Sequence, residues 1–440
     1  MKMSSILGLN ARTQLYSYPY NKPASKGIAS SKLLTKKVLK KHDVAIPKIF
    51  GKFVHPVDIL KFDWDGLPSS FALKPSKGFG GEGIIVVKKR SEAGWITTQK
   101  TQVSIDDLKF HVMDILEGAF SLGNVPDVAF VEEYIGRHKA LAKYSFRGTP
   151  DIRVIVFNRV PVMAMLRLPT RESGGRANLH QGAIGVGVDI ASGITTRAIW
   201  HGEVIKHKPG SKRKLHGIKI PGWNEILLLA VKTQEATGLG FIGVDIVLHP
   251  TSGPMVLEIN SQPGLAIQLA NNAGLKKRLD RVDELDVRDA EHGVKIAKAL
   301  FSTYFSDRVR SENTVKTVTA IEEIKIRDIK KNKHKVLAKI DTGAWRTSIS
   351  QDLADKLGLL DKDNILWTKK VRSSLGFQER PVISITYWLA GRKISSTASV
   401  AKRATLKYPV IIGRKNLKGF LVDADLKANN IKNPAIKFDQ

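Results

Sequence analysis

Glu258 and Asn260, two residues apart in the apolar run VLEIN, and Asp245 in the run GFIGVDIVL are oxygen donors whose types and spacing could hold a metal ion. Side chains alternate along a β-strand, so Glu258 and Asn260 project from one face while Ile259 enters the core. Asp245, flanked by Val244 and Ile246, reaches the same place if the two strands pair. Two carboxylates and an amide oxygen suit octahedral Mg²⁺ (or Mn²⁺), which takes a few oxygen ligands together with waters and nucleotide phosphates. The bland alternative is ordinary polar alternation on the solvent side of an edge strand. A second group is KPSKGFGGEG at 74–83, where Lys74 precedes Gly78, Gly80, Gly81 and Gly83. Backbone N–H groups of such a loop can close over phosphates, and the lysine adds positive charge. Glycine hairpins are common, and this one fits neither the Walker pattern nor the dinucleotide fingerprint. A third group, Asp341-Thr342-Gly343-Ala344, follows the apolar run KVLAKI. Asp followed by Gly is also ordinary turn chemistry.

These groups need elements to position them. FALKP (71–75) and GIIVVKK (83–89) read as strands on either side of the glycine loop. A helix is predicted over 30–42, capped by Ser30 or Ser31, and a second opens at Ser104 with a capping-box pattern. VAFVEEYI (128–135), DIRVIVFN (151–158) and VPVMAMLRL (160–168) read as strands, the last two as a hairpin turning at Arg159. A helix at about 222–237, strands at 241–248 and 254–259, and a helix at about 287–304 complete an α+β body. Polar SDRVRSENT (306–314) reads as a linker, and the β-branched runs HKVLAKI, PVISITYWLA and RKISSTASV predict a small all-β domain after it. The expected division is 1–310 and 311–440.

Composition restricts the chemistry. A chain of 440 residues with 42% hydrophobic content is long enough for two or three cores. It has no cysteine, so disulfides and thiolate metal sites are excluded and any metal is held by oxygen or imidazole. No stretch has the ~18 apolar residues of a membrane span, and the first residues lack a signal-peptide pattern, so no membrane partner and a cytoplasmic location are expected. The formal net charge is +30, and residues 311–440, with 26 basic against 13 acidic residues, carry +13 of it. Such a field attracts polyanions: nucleic acid, a nucleotide or an acidic polypeptide. No aromatic-interleaved RNA motif or zinc knuckle accompanies the charge, so nucleic acid is the less favoured partner.

Strand lysine, glycine flap, the VEEYI segment and Asp…Glu-x-Asn, in that order, resemble the ATP-grasp superfamily. In it an acyl phosphate made from a carboxylate and ATP is attacked by an amine. ILGLNARTQLY, SSKLLTK, FALKP, DIRVIVFNRVPVMAMLRLPT, GGRANLHQGAIGVG, GLGFIGVDIVL and LEINSQPGLAIQLAN, read together, resemble the RimK-related α-L-glutamate ligase-like proteins over about residues 6–305. The resemblance implies that Lys74 contacts the nucleotide phosphates, that Glu132, Glu133, Tyr134 and Ile135 line the adenine pocket, and that Asp245, Glu258 and Asn260 hold Mg²⁺. It further implies that Arg167, Arg176 and Asn178 bind the acyl phosphate and the substrate carboxylate. Mg²⁺ with fixed arginines is the appropriate clamp for a phosphoryl group in flight, and the arginine fork suits carboxylates. A snorkelling strand-end residue is the plain alternative for Arg167. His180 in RANLHQG is assigned to binding only, a structural hydrogen bond being as good an account. No residue stands out as general base for the amine.

Val-Ile-Ile-Gly-Arg in YPVIIGRKNLKGFLVD (408–423), together with Asp-Thr-Gly, resembles the retropepsin-like domain of the RimB family, often labelled ATP-dependent zinc proteases. No zinc-ligand cluster supports that label. Aspartic proteolysis needs two carboxylates sharing a proton, and Asp423 and Asp425 lack the turn sequence. A second Asp341 from another protomer, hence a homodimer, is implied if Asp341 is catalytic. The expected fold is therefore an ATP-grasp fold followed by a small all-β, retropepsin-like domain. The expected activity is ligation of an amino acid, glutamate by resemblance, to a protein or peptide acceptor. Two rivals stand beside it: an aspartic-type peptidase gated by ATP binding, and a basic ribosome- or RNA-associated binding protein.

Overall fold

The computed structural model describes residues 5–78, 81–302, 316–373, 376–402 and 408–423. The chain divides into two compact units, Met1–Ser306 and Asp307–Gln440. The 306–314 segment, Gly80 and Asp425 lie outside the described residues.

In the first unit six strands form one sheet: β1 (Ile49–Phe53), β2 (Phe71–Pro75), β3 (Ile85–Ser91), β4 (Gly94–Thr97), β5 (Gln102–Val103) and β6 (Ala129–Glu133), in the order β1-β6-β2-β3-β4-β5. The helix Ile105–Leu116 starts where Ser104 and Asp107 close the expected capping box. Its buried Leu108, Val112 and Ile115 share a core with Phe53, Phe71, Leu73, Trp95 and Val131. Each such side chain contributes about 1.5–3 kcal/mol of burial.

The second sheet holds β7 (Asp151–Phe157), β8 (Val160–Leu168), β9 (Ile184–Val188), β10 (Thr195–Trp200), β11 (Glu203–Ile205), β12 (Phe241–His249) and β13 (Gly253–Asn260). Its order is β11-β10-β9-β8-β7-β12-β13, and all its pairings are antiparallel. Asn158 and Arg159 both have positive φ, 49° and 58°, so the β7–β8 turn takes two residues rather than Arg159 alone. The helices Trp223–Thr237 and Ala290–Phe301 pack on this sheet. The second is capped by Asp289, whose side chain accepts from the His292 N–H, and begins at Ala290, three residues later than its apolar pattern predicts. Strands β9 to β11 escape the sequence reading because IGVGV is laced with glycine. The structure explains that lacing, since a Cβ on Gly187 would lie 2.4 Å from the Ala270 carbonyl oxygen.

The second unit contains β14 (Lys316–Val318), β15 (Ile321–Arg327), β16 (Lys333–Asp341), β17 (Thr347–Ser350), β18 (Ile365–Ser373), β19 (Gly376–Leu389), β20 (Arg392–Ala401), β21 (Val410–Gly413) and β22 (Phe420–Val422). Strands β15-β16-β21-β17-β20-β19 follow one another, and a β15–β19 pairing closes them into a six-stranded barrel with β18 outside on β19. Ile324, Ile326, Val336, Ala338, Ile340, Ile383, Ile385 and Tyr387 fill it. The unit is mostly β, as expected, but not all-β: a helix over Gln351–Lys356, capped by Ser350, buries Leu353 and Ala354 in the same core.

Gly413 pairs with Asp341 in the parallel β16–β21 ladder, and a Cβ on it would sit 2.5 Å from the backbone carbon and oxygen of Arg346. Gly413→Ala is therefore expected to cost about 2 kcal/mol or more, read as an earlier chemical-denaturation transition of the barrel. An unaltered transition would show that the turn can yield.

Candidate active site

The ladders of the second sheet place alternate residues in rows on one face. Glu258 of β13 lies opposite Asp245 of β12, which lies opposite Arg153 of β7. One row over, Asp151 lies opposite Arg167 of β8. Asn260, two residues beyond Glu258, shares its face. The strand alternation read from sequence thus brings Asp245, Glu258 and Asn260 together as expected, and adds Asp151 and Arg153 to them.

The arginines are held by carboxylates. Arg153 grips Asp245 in a fork, Nε to Oδ1 at 2.7 Å and Nη2 to Oδ2 at 2.7 Å. Arg167 spans two acids, donating through Nε and Nη2 to Asp151 at 2.5 and 2.6 Å and through Nη2 to Asp245 at 2.8 Å. It is no snorkelling surface residue. Burial pushes the Asp245 carboxyl up, but Arg153 and Arg167 outweigh it and hold Asp245 below its usual range. Burial also pushes Asp151 up, and with Asp245 adjoining and Arg167 shared, it ends above the usual range. For Arg167 burial acts downward, and the two aspartates more than reverse it.

A cationic wall faces this sheet. The helix Lys32–Lys41, capped by Ser31, presents Lys32 and Lys36 one turn apart. Lys32 Nζ donates to the Gly78 carbonyl at 2.7 Å, which ties the helix start to the glycine loop. The Ser31 and Ser76 hydroxyls meet at 2.9 Å, and Lys77 N–H donates to Asp127 at 2.7 Å, fixing the base of the loop. Lys36, 2% exposed, pairs with Glu132, 1% exposed, at 2.8 Å, and Lys74 pairs with the other oxygen of Glu132 at 2.5 Å. Burial lowers the Lys32 and Lys36 ammonium groups, while Glu258 acts to raise both. β13 is docked on the segment after the helix by the Val256 N–H, which donates to the Ala45 carbonyl at 2.8 Å.

Lys32 and Lys36 are the residues that sequence reasoning did not single out. Their signal is visible in SSKLLTK as two lysines at i and i+4, which share one helix face; the buried positions of this helix are Thr35, Lys36 and Leu39, and Leu34 is exposed. Glu132 was assigned to the adenine pocket, but its side chain lies between two lysines. Glu133 accepts from the Lys48 N–H at 3.2 Å and lies 3.4 Å from His249. Ile135 is buried, and its carbonyl accepts from the Thr149 hydroxyl at 2.6 Å; Tyr134 is half-buried. Gly81 and Gly83 have φ of 83° and 67°, the left-handed region that favours glycine. A Cβ on Gly81 would lie 3.7 Å from Arg176 Cδ, so Arg176 sits against the flap. Asn178 caps a short turn by accepting from the His180 N–H at 3.1 Å, and His180 is exposed.

The donor set fits Mg²⁺. Glu258 is half-buried on the same face as Asn260 and Asp245, and all three offer hard oxygen donors beside lysines suited to phosphates. Among the described residues there is no cluster of three His, Cys, Asp or Glu that could hold a metal by itself. In the second unit Asp341 Oδ1 accepts from the Gly343 and Ala344 N–H groups at 2.9 and 3.0 Å. Thr347 joins this turn to the second signature, donating to Asn416 at 2.9 Å and accepting from the Gly413 N–H at 3.3 Å. The two segments that resembled a protease in sequence are thus adjacent. Asp423 follows β22, its N–H donating to the Val318 carbonyl at 2.9 Å.

Residues 11–284 match the family described as sugar-transfer associated ATP-grasp, and the chain belongs to that family. ATP-grasp proteins of this kind use ATP and Mg²⁺ in ligase-type chemistry. Over 127 residues the chain is 33% identical to a probable alpha-L-glutamate ligase 2 of Hahella chejuensis, covering 28% of this chain and 30% of that protein. Over 115 residues it is 32% identical to a probable alpha-L-glutamate ligase of Maridesulfovibrio salexigens, covering 26% and 27%. The chain thus spans less than a third of the length of these curated relatives. Among solved structures it is similar to the ATP-grasp ligase PsnB complexed with minimal precursor (14% identity, 60% of this chain and 63% of that one, TM-score 0.33). It is also similar to D-alanine--D-alanine ligase from Bacillus anthracis complexed with ATP (17%, 60% and 68%, TM-score 0.35). Among the described residues no helix is long and apolar enough to cross a membrane.

Proposed function

We propose that the first unit is a carboxylate–amine ligase that activates a carboxylate with Mg-ATP and joins it to the amine of an amino acid, forming a peptide or isopeptide bond. The observation that carries this reading is the opposed charge of the site, with Lys32, Lys36 and Lys74 on one side and Glu258 and Asp245, beside the neutral Asn260 amide, on the other. In it Lys32 and Lys74 take the phosphates, and Glu258, Asn260 and Asp245 hold Mg²⁺, which when bound neutralises phosphate charge. Arg167 is locked by Asp151 and Asp245 through Nε and Nη2. Among the described residues no acceptor is paired with its Nη1, which we assign to the acyl phosphate and the substrate carboxylate, with Arg176 and Asn178 completing the pocket. Preorganised donors of this kind need not reorganise as charge develops.

Glutamate as the added amino acid and a protein or peptide as acceptor are the finer parts of the proposal, supported by the two relatives named as glutamate ligases. The family's association with sugar transfer favours a second acceptor class, an amine carried on a saccharide, in which case the activated carboxylate is the amino acid's own. Incubation with Mg-ATP and each amino acid, with and without a peptide or an amino sugar, followed by ADP release and product mass, decides among them. Glutamate-dependent ADP release with a matching mass increase is expected. No ADP with any pair would overturn the ligase reading. Acceptor binding is expected to weaken from low salt to several hundred millimolar while ATP affinity changes less, since exposed cations are screened and Lys36 and Lys74, 2% and 13% exposed, are screened less.

For the barrel we propose a retropepsin-like domain that holds or trims the acidic product. The adjacency of the Asp341 turn to Gly413 and Thr347 supports this. One chain supplies one such aspartate, so any peptidase activity requires a homodimer and should vanish in Asp341→Asn while ADP release persists. Equal product lengths from wild type and variant would reduce the barrel to a binding module.

A further inference from the structure

Closing the barrel brings together cations that the sequence scatters. Through the β20–β19–β15–β16 ladders, Lys393 lies opposite Trp388, Trp388 opposite Lys325, and Lys325 opposite Lys335; one row over, Arg327 lies opposite Lys333. Neighbours at odd and even positions separate cleanly here. Val336, Ala338, Ile340, Ile324, Ile326, Tyr387 and Leu389 point into the core, so the lysines and the indole point outward.

The indole organises the row. Lys333 Nζ lies 4.5 Å from the Trp388 ring centroid, the Arg327 guanidinium 5.3 Å and Lys393 Nζ 6.0 Å, all within cation–π range. Glu323, paired with Lys335 at 3.1 Å, is the one carboxylate among the described residues joined to these cations. Like charges at strand spacing repel one another, so the face gains stability from an anion laid across it.

We propose that this face of the barrel is a docking surface for an extended acidic polypeptide. In an extended chain alternate carboxylates recur about every 6.8 Å, the same step that separates Lys325 from Arg327 and Lys333 from Lys335 along their strands. Single-stranded nucleic acid is disfavoured, because its binders offer open aromatic faces for base stacking and the indole here is already overlaid by cations. On β16 the outward positions run Lys333, Lys335, Leu337, Lys339 and Asp341. A tail held by the lysines is thereby led along one strand toward the Asp341 turn. This rests on the reading that the product is acidic, but the binding measurement that tests it does not use ATP.

The test is fluorescence anisotropy of the full chain with labelled decaglutamate and with an oligouridylate of the same length. The comparison is wild type against K325E/K333E/K393E and against the same three lysines replaced by alanine. Circular dichroism checks folding of both variants. Decaglutamate is expected to bind the wild type more tightly than the oligouridylate, and to lose roughly tenfold in affinity in the reversal variant and less in the alanine variant. Unchanged decaglutamate binding in both variants would overturn the proposal. So would tighter binding of the oligouridylate that falls in the variants, which would assign the face to nucleic acid. ADP release from free substrates should be the same in all three proteins. Its absence in the wild type would count against the ligase reading alone.

Discussion

Glu258→Gln should leave the circular dichroism and melting behaviour of the protein near wild type while lowering ADP formation roughly hundredfold, the effect of losing about 3 kcal/mol of charge stabilisation. The amide keeps the shape of the side chain but not the charge that faces Mg²⁺ and the lysines. Glu258 also acts on Lys32 and Lys36 across the site, raising ammonium groups that burial lowers. Removing it leaves those cations with one fewer counter-charge where the phosphates must sit. Fold disruption is not expected, because among the described residues Glu258 joins no ion pair and its strand is secured by the β12 ladder and by Val256. Undiminished ADP formation by a folded variant would remove Glu258 from the metal site.

Glu132→Gln should have the largest effect on stability. Its carboxylate is the common partner of Lys36 and Lys74 in a nearly dry setting. The neutral amide leaves two ammonium groups beside each other with their desolvation uncompensated, a loss of about 3–5 kcal/mol. Lys36→Met should cost clearly less, since Glu132 keeps Lys74. Chemical denaturation, with hydrogen exchange of the β2 and β6 amides to separate this unit from the barrel, tests the order. Equal midpoints for the two variants would show that the triad is not what holds this corner.

The same triad has a pH signature. Burial pushes Glu132 up, but Lys74 and Lys36 outweigh it and hold it below its ordinary value. A carboxyl lowered on folding contributes stability that is fully present above its unfolded value, about 4.3. That stability is lost as pH falls through the lower folded value. Acid unfolding of this unit should therefore begin below about pH 4 in the wild type, and Glu132→Gln should lack that acid-dependent step.

Local rules carried a good part of this protein. Strand alternation in VLEIN places Glu258 and Asn260 on one face, and the β12–β13 ladder supplies the pairing that sets Asp245 opposite Glu258. The capping box at Ser104, the cap at Ser31, the strands FALKP and VPVMAMLRL, and the mainly β character of the last third follow from caps, turns and periodicity, which act over a few residues, while the helix Gln351–Lys356 there escapes the sequence reading. What neighbours three strands away would do was not available in that form. Arg153 is simply an alternate residue of DIRVIVF until β12 lies beside β7 and gives it Asp245. Lys36 reads as one lysine among several on a helix until β6 brings Glu132 under it. The cations around Trp388 lie at positions 325 to 393, and only barrel closure makes them neighbours. Burial and Coulomb interaction depend on distance through space, and sequence spacing beyond one turn or one strand pair does not specify it. The sequence by itself determined that Glu258, Asn260 and Asp245 could bear metal chemistry and that alternation sets Glu258 and Asn260 on one face. Which charges neutralise one another, and which are left facing solvent, was decided by the tertiary structure.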